Sequence, residues 1–214
     1  MDGNPAQRWK RCPEERPAQI LDAALEIFES RGLSGARLEE IAEAAGISKG
    51  TIYLYFESKE ALFRALVERT IIEAAKEFAE RERTGSAAER LRQLATELWG
   101  HFRSRAFQTV YRLVLGELHK FPELARAYLD QMPSGASDTL ARTIEEGTSA
   151  GEFGPVAPVP SARMVLALLL THAAWCERRT LFPRLAQRTD DEVFAEVMEF
   201  CQRALRAHPA TVKP

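Results

Sequence analysis

The 214-residue sequence has little cysteine, and its three cysteines have no CxxC spacing. No secretory signal precedes Cys12, Cys176 or Cys201. Isolated cysteines are typical of a reducing compartment, whereas small secreted domains pair theirs in a disulfide framework. We therefore expect a cytoplasmic protein whose thiols are reduced.

Long uncharged segments are also missing. The longest runs from Met164 to Cys176 and holds thirteen residues, including Thr171 and His172. A membrane-spanning helix needs about 20 apolar residues. The sequence therefore predicts no membrane partner.

Motifs that carry catalysis are absent too. The sequence has no glycine-rich phosphate loop and no evident nucleophile-and-base signature. His172 and Cys176 have i, i+4 spacing, which could begin a metal site, but no further ligand lies at a suitable offset. We expect a packed His–Cys pair, no metal and no cofactor. With no catalytic residue to assign, the protein is not expected to be an enzyme.

The charge balance gives no support to nucleic-acid binding. The formal net charge is −2, and the first 60 residues hold eight Lys and Arg against eleven Asp and Glu. A DNA-binding domain normally carries a basic surface. This balance is compatible with DNA binding if the acidic residues lie on the outer faces of the first two helices. Arg37, Lys49 and Lys59 would then face the phosphates.

Helical periodicity is what the sequence does have. Residues 1–16 lack it and predict a flexible basic arm, which either follows a minor groove or is a solvated tail. A first helix is predicted from Pro17 to Arg31, ended by Gly32, with helices at about 38–45 and 49–55 after it. Ser58 then begins a long fourth helix as its N-cap.

The remaining sequence also predicts helices without strands. The segments beginning at Ser86 and Thr189 have capping-box spacing, and Gly151–Pro160 predicts a loop. The last two helices are expected at about 161–181 and 190–207, in a total of about nine.

Residues 38–63 predict a helix-turn-helix. Ile41 and Ala42 belong to the apolar face of a short helix, and Gly46 follows where a sharp turn favours a residue with positive φ. Ser48 is then expected to cap a second short helix, with Ile52 filling the angle between the two. A small residue, a glycine four later and an isoleucine six after that is the spacing of DNA-binding helix-turn-helix motifs.

The same stretch closely resembles the TetR (tetracycline repressor) family of bacterial transcriptional regulators. The family pattern is matched by Ile41, Ala42, Ala45, Gly46, Ile47, Ser48, Gly50, Thr51, Ile52, Tyr53, Tyr55, Phe56, Ser58, Lys59 and Leu62. The resemblance implies an all-α protein with an N-terminal three-helix DNA-binding domain and a C-terminal helical bundle for ligand binding and dimerisation. We assign residues 1–16 to the arm, 17–60 to the DNA-binding domain and 61–214 to the bundle.

The resemblance also implies which residues contact DNA. Tyr53, Tyr55 and Lys59 occupy contact positions, and Lys49, Gly50, Thr51 and Leu54 lie nearest the base edges, next to the cap residue Ser48. The alternatives are that one tyrosine packs on the first helix and that Lys59 is merely solvated. Arg37 departs from the family, which most often has Thr or Ser there. We therefore expect the cap of the second helix to be lost, while Arg37 either reaches a phosphate or does not.

The bundle is expected to bind a small molecule and a second copy of the chain. Most of its aromatic residues are ordinary core, but an aromatic cavity is implied, with the candidate lining Trp99, Phe102, Tyr111, His172 and Trp175. The last two helices have wide apolar faces, so we expect a four-helix dimer interface. Its candidate residues are Val165, Leu169, Val193, Val197, Phe200 and Cys201.

The sequence thus predicts a homodimeric, ligand-responsive regulator. We expect it to be a repressor released from a palindromic DNA operator by a small apolar or aromatic effector. The alternative is a helical ligand-binding module that has lost operator recognition.

Overall fold

The computed structural model describes residues 16–117 and 135–206. These residues are mainly helical and contain no strand, which confirms the predicted all-α class. The chain divides into two compact units, one up to Leu66 and one from Val67 onward. The predicted arm falls almost entirely outside the described residues.

The first unit has the helix order predicted for a helix-turn-helix domain. Its helices are α1 Arg16–Gly35, α2 Leu38–Ala44 and α3 Lys49–Tyr55, followed by α4, Lys59–Val67. Gly32 interrupts α1 with a φ of 70°, so the predicted stop is a kink inside the helix. Ser58 accepts a hydrogen bond from the Ala61 amide and begins α4 as predicted.

The core of the first unit is built from the apolar faces of these helices. Ile20 and Phe28 of α1, Ile41 of α2 and Ile52 of α3 are fully buried. The Phe28 ring meets the Phe63 ring of α4 edge-on at 6.1 Å, a favourable aromatic geometry. This core fixes the orientation of α3, because its one buried side chain, Ile52, points inward.

The turn between α2 and α3 follows the predicted chemistry. Gly46 has a φ of 64°, a conformation that residues with a Cβ rarely adopt. The Ile47 amide donates to the Ala42 carbonyl at 2.9 Å, and Ala42 is buried where the helices cross. Ser48 accepts from the Thr51 amide at 3.1 Å and caps α3.

The second unit is a helical bundle. It begins with a π-helical turn, Glu68–Glu73, and continues with α5 Ala74–Glu80, α6 Ala87–Phe102, α7 Arg105–Glu117 and α8 Gly135–Ser149. After these come α9 Pro158–Glu177, a 3₁₀ turn Arg179–Leu181, α10 Pro183–Ala186 and α11 Asp190–Leu205. Both predicted capping boxes form, at Ser86 and Thr189. The predicted loop is shorter, because Pro158 already begins α9.

Helix α9 is the central element of this bundle and packs against α6, α8 and α11. In the described part of the chain, it alone is long and apolar enough to cross a bilayer. Its buried residues, among them Ala162, Leu169 and Ala173, belong to the core of the unit. Beyond its end, Asp190 of α11 pairs with Arg103, the C-cap residue of α6, and with Arg179 of the 3₁₀ turn, so these three places in the bundle are joined.

Candidate DNA-binding surface and ligand cavity

Helix α3 presents an exposed face on the first unit. Tyr53, Leu54 and Tyr55 are 46%, 83% and 39% exposed, and Lys49 and Gly50 are exposed as well. Neither tyrosine is buried in the core, so both are available to a partner. Since Ile52 anchors the opposite side, α3 carries this face on a fixed support.

Hydroxyl groups at the start of α3 are already hydrogen-bonded to each other. Ser48 Oγ and Thr51 Oγ1 lie 2.7 Å apart, and Ser48 Oγ also caps the helix. The contact between the two hydroxyls uses only one of their two protons, so the other proton can donate to a further acceptor. Gly50 adds no side chain that would keep a DNA backbone away.

An acidic residue lies among the candidate DNA contacts, which sequence reasoning missed. Glu39 Oε1 on α2 is 2.7 Å from Lys49 Nζ and 3.4 Å from the Tyr53 hydroxyl on α3. The hydrogen bond from Lys49 lowers the pKa of Glu39 and raises that of Lys49. The contact joins residues of two different helices, so no local sequence pattern could have predicted it.

Arg37 does not cap α2, as the sequence predicted. It occupies the N-cap position of α2 with an exposed side chain that makes no capping hydrogen bond. Glu39 and Glu40 in the first turn supply negative charge at the positive end of the helix dipole instead.

Lys59 has a partner that neither sequence-based explanation included. Its ammonium donates to the carbonyl oxygens of Ser34 at 2.8 Å and Ala36 at 3.3 Å. These carbonyls lie at the end of α1 and in the connection to α2, where helix carbonyls lack intrahelical donors. Lys59 therefore joins α4 to the α1–α2 connection.

The second unit holds an apolar cavity of about 110 Å³. Ile71 and Phe78 line one side, and Leu98, Leu166 and Leu170 form much of the remaining wall. Of the predicted ligand residues, Phe102 and Tyr111 line it, and Tyr111 stacks at 5.7 Å on Phe107. Their position agrees with an aromatic cavity among α5 to α9.

His101 is the polar residue of this cavity that sequence reasoning missed. Its ring packs against Phe78 at 5.3 Å and Phe107 at 5.0 Å. Burial lowers the pKa of His101, and the bond that its ring makes with the Thr70 carbonyl only partly opposes this. The neutral ring donates once and accepts once, so one nitrogen can accept from a ligand.

The other predicted ligand residues lie elsewhere in the bundle and do not line this cavity. Trp99 is buried against Phe194 of α11, and its indole nitrogen has no hydrogen-bond partner among the described residues. The His172 ring lies 4.9 Å from Trp175, which stacks on Phe182. Helix α9 lines the cavity with Leu166 and Leu170 and not with His172 or Trp175, and α6 lines it with Leu98, His101 and Phe102 and not with Trp99.

The predicted dimer residues are mostly core residues of a single protomer. Val165, Leu169, Val193, Val197 and Cys201 are at most 6% exposed, whereas Phe200 is 62% exposed. Five of the six therefore pack α9 and α11 within one chain. Val193, Val197 and Phe200 also line an open groove of about 270 Å³, together with Leu168, His172 and Glu196.

The predicted His172–Cys176 pair has local partners. His172 Nδ1 lies 2.9 Å from the Leu168 carbonyl oxygen, and burial raises the pKa of the Cys176 thiol. Within residues 16–117 and 135–206, no group of three or more potential ligands could hold a metal ion.

Family comparisons agree with both units. The model for "Bacterial regulatory proteins, tetR family" matches residues 20–66. The model for the "AefR-like transcriptional repressor, C-terminal domain" matches residues 89–207, more than half of the chain. The chain belongs to the TetR family. The resemblance seen in residues 38–63 is thereby confirmed, and this TetR-family protein is a DNA-binding transcriptional regulator.

Individual relatives show how far the likeness to this TetR-family chain extends. The fatty acid metabolism regulator protein of Bacillus subtilis is 30% identical over 158 residues, covering 72% of this chain and 79% of its own. The transcriptional activator FasR of Mycolicibacterium smegmatis is 42% identical over 66 residues, only 30% of either chain.

A solved structure supports the fold. A Saccharomonospora viridis regulator in complex with choline has a TM-score of 0.74 at 22% identity, covering 91% of this chain and 100% of its own. At that identity the likeness concerns the fold alone.

Proposed function

We propose that the protein is a ligand-responsive repressor whose α3 enters the major groove of an operator. The observation that carries this proposal is the exposed surface of α3, where Lys49, Tyr53 and Leu54 lie around Gly50 on the side opposite the buried Ile52. Tyr55 is exposed at the end of the same helix. Tyrosine hydroxyls suit phosphates, and Leu54 suits a thymine methyl group. The name of the matched C-terminal model, a repressor domain, supports repression.

The proposed regulator is a cytoplasmic homodimer. Its interface is the exposed apolar face of α9 and α11, where Met164 and Phe200 are each 62% exposed and Leu168 lines the groove beside Phe200. A second copy related by two-fold symmetry would cover this face with the same face. Two copies of α3 would then meet two half-sites, so the operator is expected to be palindromic.

The effector is proposed to be a small apolar or aromatic molecule bound in the cavity beside His101. Apolar burial contributes about 25 cal/mol per Å², which favours such a ligand. An engineered cavity of about 150 Å³ holds benzene, so the cavity of about 110 Å³ must widen to take a ligand of that size or larger. His101 and Tyr111 supply the polar groups that would orient it. The relative named for fatty acid metabolism is consistent with an apolar effector class.

The proposed signal passes along the chain from this cavity towards α4. Ile71 lies in the π-helical turn, and Ala75 and Phe78 lie in α5 directly after it. The π-helical turn follows α4 without an intervening non-helical residue. A ligand shifts DNA binding only if it favours one of two conformations, and we propose a conformer with α4 displaced.

A ligand-binding module without operator recognition is the second candidate, favoured by the acidic balance of the first 60 residues. A salt titration distinguishes the two. A DNA-binding protein releases counterions, so the logarithm of its affinity falls with the logarithm of salt at about 0.9 units per phosphate contact.

The proposed function is tested by selection from a pool of random-sequence duplexes. The proposal predicts that the purified protein enriches a palindromic duplex, binds it with a steep salt dependence and releases it on addition of hydrophobic aromatic compounds. Enrichment of no sequence, with weak binding that is insensitive to salt, would instead support the second candidate.

A further inference from the structure

The acidic residue on the DNA-facing surface is unusual, because nearly every favourable contact with a DNA backbone is made by a positive or neutral group. Glu39 is 44% exposed in its side chain and lies within 2.7 Å of Lys49 Nζ. Its Oε1 atom also lies 3.4 Å from the Tyr53 hydroxyl. One carboxylate thus faces two of the residues proposed to contact DNA.

The pairing removes positive charge from the surface when DNA is absent. Within residues 36–55, the positively charged residues are Arg37 and Lys49, and both are exposed. Since Lys49 is paired with Glu39, its charge is largely neutralised, and the carboxylate adds repulsion towards any phosphate. The Glu39–Lys49 contact therefore weakens binding to any DNA that the protein contacts only through phosphates.

An operator differs from other DNA because its base edges can replace the contact that Glu39 and Lys49 lose when they separate. A carboxylate accepts a hydrogen bond from the amino group of cytosine, and a lysine donates to guanine in the major groove. Separating Glu39 from Lys49 then costs little, because each group gains a base partner. In non-specific DNA the carboxylate gains none.

We propose that Glu39 is a specificity-determining residue that suppresses non-specific DNA binding by holding Lys49 and is compensated only at the operator. The inference rests on the proposed role of α3 in DNA recognition. It extends that role by naming an acidic residue of α2 and the chemistry that satisfies it, a base edge with an exocyclic amino group.

The test compares Glu39→Gln with the unchanged protein on two duplexes by fluorescence anisotropy. One duplex is a 30-base-pair mixed sequence, and the other is the sequence enriched from a random pool by the unchanged protein. Glu39→Gln is expected to raise affinity for the mixed sequence about three- to tenfold, and its salt dependence should steepen by up to about one unit per protomer. Affinity for the enriched duplex should rise less or fall.

Two further variants separate this role from a general charge effect. Glu43→Gln removes the same charge from an exposed position of α2 that does not contact Lys49 or Tyr53. It should leave the ratio of the affinities for the enriched and the mixed-sequence duplex unchanged. In a Lys49→Ala background, Glu39→Gln should lose most of its effect on the mixed sequence.

An equal gain on both duplexes, or the same gain from Glu43→Gln, would overturn the proposal. No gain on the mixed sequence would overturn it as well. If no duplex is enriched, the proposed operator recognition fails, while the mixed-sequence measurement still decides whether Glu39 restrains phosphate binding.

Discussion

Lys59 Nζ lies 2.8 Å from the carbonyl oxygen of Ser34, so the first turn of α4 is bound to the end of α1. A lysine in the first turn of a helix gains nothing from that helix's dipole. Here its charge is stabilised by the carbonyl end of another helix, where a cation is favoured. The residue has a structural role in the first unit independent of any phosphate contact.

Replacement of Lys59 by methionine is therefore expected to destabilise the first unit. The variant loses two hydrogen bonds from a charged donor, which corresponds to a decrease of about 1–2 kcal/mol in the free energy of unfolding, since the site is partly exposed. Chemical denaturation followed by circular dichroism measures this change. Lys76→Met, at an exposed position of α5, is the control. Unchanged stability together with a shallower salt dependence of DNA binding would return Lys59 to the role of a phosphate contact.

Two glycine substitutions should change stability in opposite directions. Gly46→Ala forces a Cβ into a residue with φ of 64°, which costs about 1–2 kcal/mol even though nothing lies within 4 Å of the added atom. Gly100→Ala, in the exposed part of α6 with equal free space, should stabilise by about 0.5–1 kcal/mol. Thermal unfolding of the two variants measures both changes in stability. If Gly46→Ala leaves the stability unchanged, the turn adapts to the added Cβ.

The stability of the second unit should depend on His101 at mildly acidic pH. Burial lowers the folded-state pKa of His101 below its ordinary value of 6.5, while Glu77 partly opposes this. The unfolded chain then binds the proton more readily, so stability is complete above 6.5 and is lost as pH falls towards the folded-state pKa. Denaturant titrations from about pH 7.5 to 5.5 should show a larger loss for the unchanged protein than for His101→Gln. Parallel pH profiles for both proteins would remove this role from His101.

The proposed dimer face predicts different outcomes for two neighbouring residues of α11. Phe200→Asp adds a charge to an exposed apolar face and should give a folded monomer in analytical ultracentrifugation. Val197→Asp, at a side chain only 6% exposed, buries an unpaired charge in the protomer core and should destabilise the fold by about 3 kcal/mol or more. A folded Phe200→Asp dimer would mean that another face joins the protomers.

The helix-turn-helix and the starts of two bundle helices were predictable because their signals are local. The Gly46 turn, the Ser48 cap and the capping boxes at Ser86 and Thr189 each depend on residues within a few positions of one another. The loss of a cap at Arg37 was predictable for the same reason.

Contacts between helices were less predictable. Glu39 meets Lys49 only because α2 and α3 cross at a particular angle, and His101 lines the cavity only because of how six elements meet around that cavity. Similarly, a wide apolar stripe on α11 does not distinguish Val197, which packs within the protomer, from Phe200, which is exposed. Those distinctions depend on tertiary packing, and periodicity identifies an apolar helix face without showing which of its residues stay exposed.

Recognition of DNA by α3 is tested by the affinity of a Lys49→Ala/Tyr53→Ala variant for the duplex that the unchanged protein enriches. Both side chains are exposed, so the variant should unfold at the same temperature as the unchanged protein. We expect at least a tenfold loss of affinity, because each lost contact is worth about 1–3 kcal/mol. A folded variant that binds the duplex with unchanged affinity would show that α3 does not recognise DNA.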